Sequence, residues 1–311
     1  MMKTFTERQQ IELIPIAQRY KHILPKPQMP NFAAIIEGVD LTQPLSNAVQ
    51  DELRQALLDF EVIFFPPQEI TNEQQVALAR VFGPISLGAF HQRSGDNPEI
   101  EVIENDEKRP PEIDHWHTDI SWVERPPRGT VIQIREVPPY GGNTVWSSMS
   151  KAYEGLSEGF KAYLSNLTAT HTWEVSKWRE YLEILGDQAL IKGVTQFKPV
   201  QHKIAKVIPE ANKTTLYVNE TFTKRIDDVP ENESKYILRF LAEWIKNPEY
   251  TYSHRWEKNG IAVWDNRLTQ HFAIADFWPN RRQNYRVTFN EWEHTEQSET
   301  KKLTEQLTET A

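Results

Sequence analysis

Cysteine is absent from all 311 residues of the chain. Its absence excludes disulfide bonds, thiolate zinc sites, iron–sulfur clusters and cysteine nucleophiles. Long apolar runs are missing too: no segment approaches the roughly 20 apolar residues of a membrane-spanning helix. The first 21 residues carry charge and glutamine instead of the apolar stretch of a signal peptide. We therefore expect a soluble, cytoplasmic protein with no membrane partner.

An excess of positive charge is also lacking. The chain has 35 Lys and Arg residues against 44 Asp and Glu residues, a formal charge of −9. This balance argues against a nucleic-acid partner or an anionic membrane surface. A protein of this kind that binds a small anion must concentrate positive charge locally, and Arg281, Arg282 and Arg286 are the candidates.

Apolar and aromatic residues are plentiful enough for a sizeable core. Hydrophobic residues make up 39% of the chain, with ten Trp, ten Tyr and fourteen Phe. We predict a polar N-terminal arm over 1–31, a single domain over 32–292 and a polar, mobile tail over 293–311. Within the domain, about 148–196 is predicted to be a helical insertion. Whether it closes over a site as a lid stays open at this stage.

Hydrophobic patterning predicts many short strands with helices gathered outside them. Ser46 caps one predicted helix, Thr71 and Gln74 form a capping box that opens a second helix ending near Phe82, and an amphipathic helix covers 231–246. Strands are predicted at 62–65, 99–104, 115–122, 129–137, 143–147, 200–207, 214–219, 251–256, 260–265 and 284–291. The pattern favours a mainly β fold, the distorted jelly roll or double-stranded β-helix, whose open end is a usual ligand site.

Three side chains have the composition of a metal site. His117 and Asp119 are two residues apart, so on a strand both would point to one face. His271 follows 154 residues after His117. Two imidazoles and one carboxylate with open positions left over are the facial triad of non-haem Fe(II) oxygenases. His115 would share the face of His117 and is the rival ligand.

A His-x-acid pair is weak evidence by itself. Nine His and 44 acidic residues produce roughly one such pair by chance. The chain has a second pair, His294 and Glu296, which lies in the polar tail without a partner pattern. We interpret that pair as the chance occurrence, because only His117 and Asp119 are flanked by sequence that fits the rest of the predicted site.

Two arginines and a threonine form the second half of the predicted site. A 2-oxoglutarate co-substrate chelates iron through its keto-acid end, and its far carboxylate then needs a bidentate cation, a role in which Arg outperforms Lys. Arg282 and Arg286 are four residues apart and would share one face of a strand. The segment Pro138-Pro139-Tyr140-Gly141-Gly142 is predicted to form a turn. Thr144 follows this turn and could add a hydroxyl donor.

Five motifs in order resemble those of the taurine dioxygenase family. They are Gly38-Val39-Asp40-Leu41, Trp116-His117-Thr118-Asp119, Gly141-Gly142-Asn143-Thr144, Tyr217-Val218-Asn219-Glu220 with Phe222-Thr223, and Trp264-Asp265-Asn266-Arg267 through Gln270-His271 to Arg286. The family comprises Fe(II)- and 2-oxoglutarate-dependent oxygenases that act on taurine, alkyl sulfate esters and aryloxyalkanoates. The resemblance covers about 32–292.

The resemblance implies a complete set of cofactor ligands. By it, Fe(II) is held by His117, Asp119 and His271, and the distal carboxylate of 2-oxoglutarate is held by Thr144 and Arg282. It further implies O2 as the oxidant, the jelly-roll fold and a homodimer or homotetramer.

The resemblance also implies a pocket for a small anionic organic substrate. Arg286 lies where the taurine enzyme grips the sulfonate, and Phe222 would pack on the substrate. The loop after Phe82 departs from the family pattern. An ungapped count from the first iron ligand places Gly88 and His91 where the taurine enzyme has a His and a Tyr, and Ile113 where it has an Asn. These replacements predict a pocket less suited to an ammonium group than that of the taurine enzyme.

The predicted reaction is hydroxylation of a carbon beside the anionic group of an alkyl sulfonate or an alkyl sulfate ester. It would give succinate, CO2 and a product that releases sulfite or sulfate. An aryloxyalkanoate or another carboxylate is the alternative substrate. Two other classes stay open: a jelly-roll binding protein that has lost turnover, and a zinc hydrolase with the same three ligands. The zinc reading gives no role to Thr144 and the two arginines.

Overall fold

A computed structural model of the chain describes residues 19–86, 92–95, 97–111, 115–176 and 188–292. Within them the strands are β1 (Leu24–Met29), β2 (Phe32–Glu37), β3 (Val62–Phe65), β4 (Ile85–Ser86), β5 (Gln92–Arg93), β6 (Glu101–Asn105), β7 (Gly129–Glu136), β8 (Thr144–Ser148), β9 (Thr168–His171), β10 (Val200–Lys203), β11 (Ala205–Ile208), β12 (Lys213–Leu216), β13 (Thr223–Ile226), β14 (Thr251–His254), β15 (Ile261–Asp265), β16 (Thr269–Ala273) and β17 (Arg282–Phe289). The α-helices are α1 (Asn47–Phe60), α2 (Asn72–Phe82), α3 (Met149–Glu154), α4 (Glu158–Leu164), α5 (Gln188–Val194) and α6 (Glu231–Trp244).

The largest sheet has the strand order β1-β2-β3-β15-β7-β17-β6-β5, with β4 paired to β17 beside this path. Its pairings are antiparallel except that of β2 with β3. A second sheet has the order β14-β8-β16, and two smaller sheets are β10-β9-β13 and β11-β12. Antiparallel sheets with flanking helices confirm the predicted mainly β class.

Aromatic rings fill the space between the two main layers. Trp146 on β8 is fully buried, and its ring lies 5.3 Å from that of Phe64 on β3 and 5.7 Å from that of Trp264 on β15. Each pair meets at a steep angle, the edge-to-face geometry that aromatic quadrupoles favour. These rings fix the spacing of the second sheet over the largest one.

Two capped helices cover the outer face of the largest sheet. Ser46 accepts a hydrogen bond from the backbone N–H of Val49 and begins α1, and Thr71 and Gln74 form a complete capping box at α2. Both capping predictions are therefore confirmed. Both helices bury their apolar side against the sheet in one continuous core. In the described ranges, no helix has the length and apolar character needed to span a membrane.

The strand predicted over 115–122 is wrong. Only His117 pairs there, in an isolated antiparallel bridge with His271, and the following residues form turns. Ile120 has φ of +53°, in the left-handed region that a β-branched residue rarely adopts. The turns around Ile120 end the extended backbone after His117, and the buried apolar side chains of this segment mimic the strand pattern.

The segment 148–196 is not helical throughout, which corrects the predicted helical insertion. It contains α3 and α4, but β9 then forms the centre of the sheet β10-β9-β13. Ala169 and His171 of β9 are both fully buried, because two strands and the core enclose it. The helical pattern of the flanking residues hid a strand of only four residues. Residues 177–187 and the predicted tail lie outside the described ranges.

The predicted arm contributes a strand to the largest sheet. β1 carries Pro25 and Pro27 and lies at the sheet edge, where it pairs with β2 alone. Proline has no N–H to donate and so occurs in sheets at such edges. Its prolines and polar residues gave β1 no strand pattern, and β2, β13 and β16 were likewise not predicted. The predicted strand 200–207 is divided into β10 and β11.

His254 on β14 is a titratable ring within the aromatic layer. It stacks on Phe64 with ring centroids 4.1 Å apart, and Trp256 contacts it edge-on at 4.8 Å. Burial lowers the pKa of His254 from 6.5 to about 4. The ring therefore stays neutral in the folded protein under conditions in which an unfolded chain would bind a proton.

We expect this histidine to make stability fall in acid. As the pH drops below about 6.5, the unfolded state takes up a proton that the folded state refuses until about pH 4. The unfolding free energy should then fall by up to about 1.4 kcal/mol per pH unit from this group. His254→Phe keeps the stacking and removes the titration, so its stability should fall less than that of the wild type.

Urea unfolding of metal-free protein at about pH 7 and about pH 5 measures this difference. His22→Gln changes an exposed histidine and serves as the control. An equal loss of stability in the wild type and in His254→Phe would contradict the expectation.

Candidate functional site

Three buried side chains converge at one rim of the aromatic layer. Potential ligand atoms of His117, Asp119 and His271 all lie within 4.8 Å of one another. The Nε2 atoms of His117 and His271 are 3.4 and 3.9 Å from the same carboxylate oxygen, Oδ1 of Asp119. Divalent ions bind imidazole and carboxylate at about 2 Å, so one ion fits between these atoms. The donor set has the composition of a facial triad.

Backbone pairing brings the two histidines together. The N–H of His117 donates to the carbonyl of His271 at 3.1 Å, and the N–H of His271 donates back at 2.9 Å. Nδ1 of His117 lies 2.8 Å from the carbonyl of His115, which leaves Nε2 for a metal. Among the described residues, the ligand cluster does not include the side chain of His115. The rival ligand instead contributes its carbonyl, which orients His117.

Asn266 fixes the backbone of Asp119 from both sides. Its Oδ1 accepts from the N–H of Asp119 at 2.8 Å, and its Nδ2 donates to the carbonyl of Asp119 at 2.8 Å and to that of Pro127 at 3.0 Å. Thr130 donates a longer hydrogen bond, 3.4 Å, to Oδ2 of the same carboxylate. These contacts hold the turn in which Ile120 adopts its left-handed conformation.

The protonation states of His271 and Asp119 suit a metal. Burial and the neighbouring His117 ring lower the pKa of His271 to about 3, so its imidazole is neutral. Burial pushes the pKa of Asp119 upward, but His271, His117 and the Arg286 guanidinium together hold it below its usual range. Neutral imidazoles and an ionised carboxylate are the forms that coordinate a divalent ion.

Arg282 is a buried cation without a matching anion. Burial alone lowers its pKa to about 10, and within the described residues no carboxylate forms an ion pair with it. Its Nη2 donates to Oγ1 of Thr144 at 3.4 Å, and Trp256 donates to the same hydroxyl at 3.0 Å. Because an unpaired buried charge is costly, this arrangement favours an incoming carboxylate beside Arg282 and Thr144.

The predicted turn before Thr144 is confirmed. Gly141 and Gly142 have φ of +68° and +69°, which glycine tolerates without a Cβ penalty. The N–H of Gly142 donates to Oδ1 of Asp276 at 2.8 Å. This contact ties the turn to the segment before β17 and brings Thr144 next to Arg282.

Arg286 shares the inward face of β17 with Arg282. Its Nη1 lies 4.0 Å from Oδ1 of Asp119, so it faces the metal-ligand cluster. Unlike Arg282, it already has a counter-ion: its Nε donates to Oε2 of the buried Glu101 at 2.7 Å. The two arginines on one strand therefore differ in charge compensation.

Arg281 does not belong to the site. It is half exposed and forms ion pairs with Glu104 and Glu136 on the outer surface of the sheet. Adjacent strand residues point to opposite faces, so its neighbour Arg282 points inward. Of the three arginines predicted to concentrate positive charge, two therefore face the site.

Phe222 is buried in a small apolar cluster with Ile120 and Trp122. These two residues follow Asp119 closely in the chain. The ring centroids of Phe222 and Trp122 are 6.5 Å apart. The other positions considered for the substrate pocket, His91, Gly88 and Ile113, lie outside the described residues.

Three residues that shape the site had no predicted role. Asn266 stands in a quoted motif, and its place directly after β15 was the available signal. Thr130 and Glu101 look like ordinary strand residues, with no signal in their spacing. Their position depends on which strands lie side by side.

Comparisons with known proteins agree with this geometry. The model of the family described as "Taurine catabolism dioxygenase TauD, TfdA family" matches residues 24–288. An alkylsulfatase of Acinetobacter baylyi is 28% identical over 262 residues, covering 83% of this chain and 81% of that protein. An alpha-ketoglutarate-dependent sulfonate dioxygenase of Saccharomyces cerevisiae is 29% identical over 282 residues, and the match covers 83% of this chain and 65% of that protein.

Among solved structures, a taurine dioxygenase from Burkholderia xenovorans is similar with a TM-score of 0.74 and 32% identity. The match covers 86% of this chain and 91% of that chain. The likeness confirms the predicted jelly-roll fold, because proteins of this type are jelly rolls built from antiparallel sheets with flanking helices.

Asn266→Ala should weaken metal binding through Asp119. The change removes both contacts to the backbone of Asp119, and loss of such supporting groups typically costs about 10- to 100-fold in metal affinity. Calorimetric titration with a divalent metal ion measures the effect. Asn212→Ala, in a turn remote from the ligand cluster, is the control. Unchanged affinity in Asn266→Ala would show that Asn266 does not support the carboxylate.

Proposed function

The chain belongs to the taurine catabolism dioxygenase TauD, TfdA family, and we propose that it hydroxylates a carbon beside the anionic group of a small organosulfur compound. The family is one of Fe(II)- and 2-oxoglutarate-dependent dioxygenases. Its members use Fe(II), 2-oxoglutarate and O2, and this chain is a dioxygenase of that class.

His117, Asp119 and His271 are the proposed iron ligands. The proposal is supported by their convergence within 4.8 Å, by their burial and by the two-histidine, one-carboxylate composition. Bound there, Fe(II) supplies the activation of O2 that accompanies conversion of 2-oxoglutarate to succinate and CO2. Three protein ligands leave the remaining coordination positions to co-substrate and O2.

Arg282 and Thr144 are the proposed ligands of the distal carboxylate of 2-oxoglutarate. The support is the uncompensated charge of Arg282, whose pKa burial lowers to about 10, and the hydroxyl 3.4 Å from its guanidinium. A planar guanidinium can donate two parallel hydrogen bonds to a carboxylate. Binding there would orient the keto-acid end of the co-substrate toward the iron ligands.

Arg286 is the proposed binding residue for the substrate anion, and its position is the main observation that supports the proposed function. Nη1 of Arg286 is 4.0 Å from Oδ1 of Asp119. An anion held by this guanidinium would bring its neighbouring carbon toward the proposed iron ligands, where bound Fe(II) would supply the oxidising chemistry. Phe222 would pack on the apolar body of the substrate, and His91 is a further proposed substrate contact.

The substrate class is proposed as an alkyl sulfonate or an alkyl sulfate ester. The support is the sulfonate and sulfate chemistry in the names of the two relatives. A product hydroxylated on the carbon that carries the sulfonate or the sulfate ester oxygen collapses to a carbonyl compound and releases sulfite or sulfate, respectively. An aryloxyalkanoate would undergo the same hydroxylation but release no sulfur oxyanion.

Arg282→Gln should weaken 2-oxoglutarate binding by at least about tenfold, because a buried charged pairing with the carboxylate is lost. Anaerobic titration of the Fe(II) protein with 2-oxoglutarate, followed by the weak visible charge-transfer band, measures the affinity. Arg281→Gln removes the adjacent, outward-facing arginine and is the matched control. Equal titrations for all three proteins would contradict the assignment of the carboxylate to Arg282.

Arg286→Gln should raise the apparent KM for the organic substrate by about tenfold or more while that for 2-oxoglutarate changes little. The assay records O2-dependent succinate release with a panel of alkyl sulfonates, alkyl sulfate esters and aryloxyacids, and sulfite and sulfate are quantified. Succinate stimulated by aryloxyacids alone, without sulfite or sulfate, would transfer the assignment to a carboxylate substrate. Loss of 2-oxoglutarate affinity alone would remove Arg286 from the substrate site.

A further inference from the structure

Glu101 faces the interior of the jelly roll beside the proposed substrate arginine. In the pairing of β6 with β17, Glu101 lies directly opposite Arg286, and Asn105 lies opposite Arg282. Opposed residues of an antiparallel pair project from the same face of the sheet. Ile132, the partner of Arg286 on β7, belongs to the aromatic core between the two main layers. Glu101 and both arginines therefore point into the same interior.

The carboxylate is placed to take charge from Arg286. Only 3% of Glu101 is exposed. Its Oε2 accepts from Nε of Arg286 at 2.7 Å and from Nη2 at 2.5 Å. Its other oxygen, Oε1, is buried and accepts no hydrogen bond within the described residues. A carboxylate kept only to anchor an arginine would be expected to use both oxygens, because an unused buried acceptor is costly.

Among the described residues, this face of the sheet leaves no uncompensated positive charge for a substrate once the iron and co-substrate are bound. Within the described ranges, Asp119 and Glu101 are carboxylates that lie beside Arg286, and Arg282 has no carboxylate partner. When the site holds Fe(II) and 2-oxoglutarate, the metal and two arginines contribute four positive charges. Asp119, Glu101 and the two carboxylates of the co-substrate contribute four negative charges. A substrate anion must then share Arg286 with Glu101 in a buried, weakly screened site.

We propose that Glu101 sets the charge of the substrate that this site accepts. By sharing the Arg286 guanidinium, it admits a group with one negative charge and disfavours a dianion of the same shape. Sulfonates and sulfate monoesters carry one charge, whereas the equally tetrahedral phosphonates and phosphate monoesters carry up to two. Arg286 without a counter-ion would favour the dianion. This inference rests on the proposed role of Arg286 in binding the substrate.

Glu101→Gln tests the charge without changing the shape. The amide carbonyl can still accept from Arg286, but the negative charge is gone. The protein is loaded with Mn(II) and N-oxalylglycine so that no turnover occurs. Propane-1-sulfonate and propylphosphonate are then titrated by calorimetry at a mildly alkaline pH at which the phosphonate is a dianion. Both probes have the same apolar body.

Glu101→Gln should change the affinities for the two probes by different factors. Coulomb energy is proportional to the charge of the ligand, so the gain in log affinity for the dianion should be twice that for the monoanion. We expect Glu101→Gln to bind the sulfonate about tenfold and the phosphonate about a hundredfold more tightly than the wild type does. The wild type itself should bind the sulfonate more tightly than the phosphonate.

Two further variants separate charge from position. Glu104→Gln removes a carboxylate from the same strand but from its outer face, where Glu104 pairs with Arg109 and Arg281, and should change neither affinity. Glu101→Asp keeps the charge and should keep the preference for the monoanion. Equal factors for both probes in Glu101→Gln, or weaker binding of both, would overturn the charge role.

The wild-type preference is a test that does not depend on the folding of any variant. A wild type that binds the phosphonate more tightly overturns the inference. The proposed substrate site fails separately if Arg286→Gln binds the sulfonate as tightly as the wild type, or if neither probe binds the wild type. Arg286-dependent sulfonate binding with equal factors in Glu101→Gln overturns only the role of Glu101.

Discussion

The two backbone hydrogen bonds between His117 and His271 are the contact on which the site depends. They join His117, which belongs to no regular strand, to His271 on β16 at a single point. This bridge brings together ligands 154 residues apart in the chain. Asn266 then fixes the turn that presents Asp119. A rigid double layer of strands supplies one histidine and the anchoring amide, while the turn supplies the other two ligands, as is usual for sites on a scaffold.

Charge is arranged along β17 in a pattern that separates two anion sites. Arg282 is buried beside the hydroxyl of Thr144 and the ring of Phe277, and within the described residues it pairs with no carboxylate, which suits the proposed co-substrate carboxylate. Arg286, four residues further along the strand, is balanced by Glu101 and lies near Asp119. A bound anion would offset the cost of burying Arg282, whereas Arg286 is already paired and is proposed to discriminate among anions. Two residues of the same type on the same face thus differ in charge compensation because their neighbours on adjacent strands differ, and we propose different ligands for them on that ground.

Local patterns were read correctly where the physical cause is local. The capping box of Thr71 and Gln74 and the glycine turn before Thr144 depend on residues within a few positions of one another. The mainly β class followed from strand periodicity for the same reason. The strand predicted over 115–122 failed because buried apolar side chains in a turn imitate that periodicity. β9 was missed because four residues between helices carry too weak a pattern, and its partners come from elsewhere in the chain.

The amino-acid sequence by itself determined the composition of the site: the two histidines, the carboxylate, the threonine and the arginines are identifiable from residue type, spacing and motif order. Only the tertiary structure shows that Arg286 has a carboxylate partner and that Arg282 has none within the described residues. Glu101 is an ordinary acidic residue in the sequence, and it becomes part of the site only because β6 lies beside β17 in one register. Register is set by contacts between distant segments, and a shift by one residue would turn the same carboxylate to the outer face.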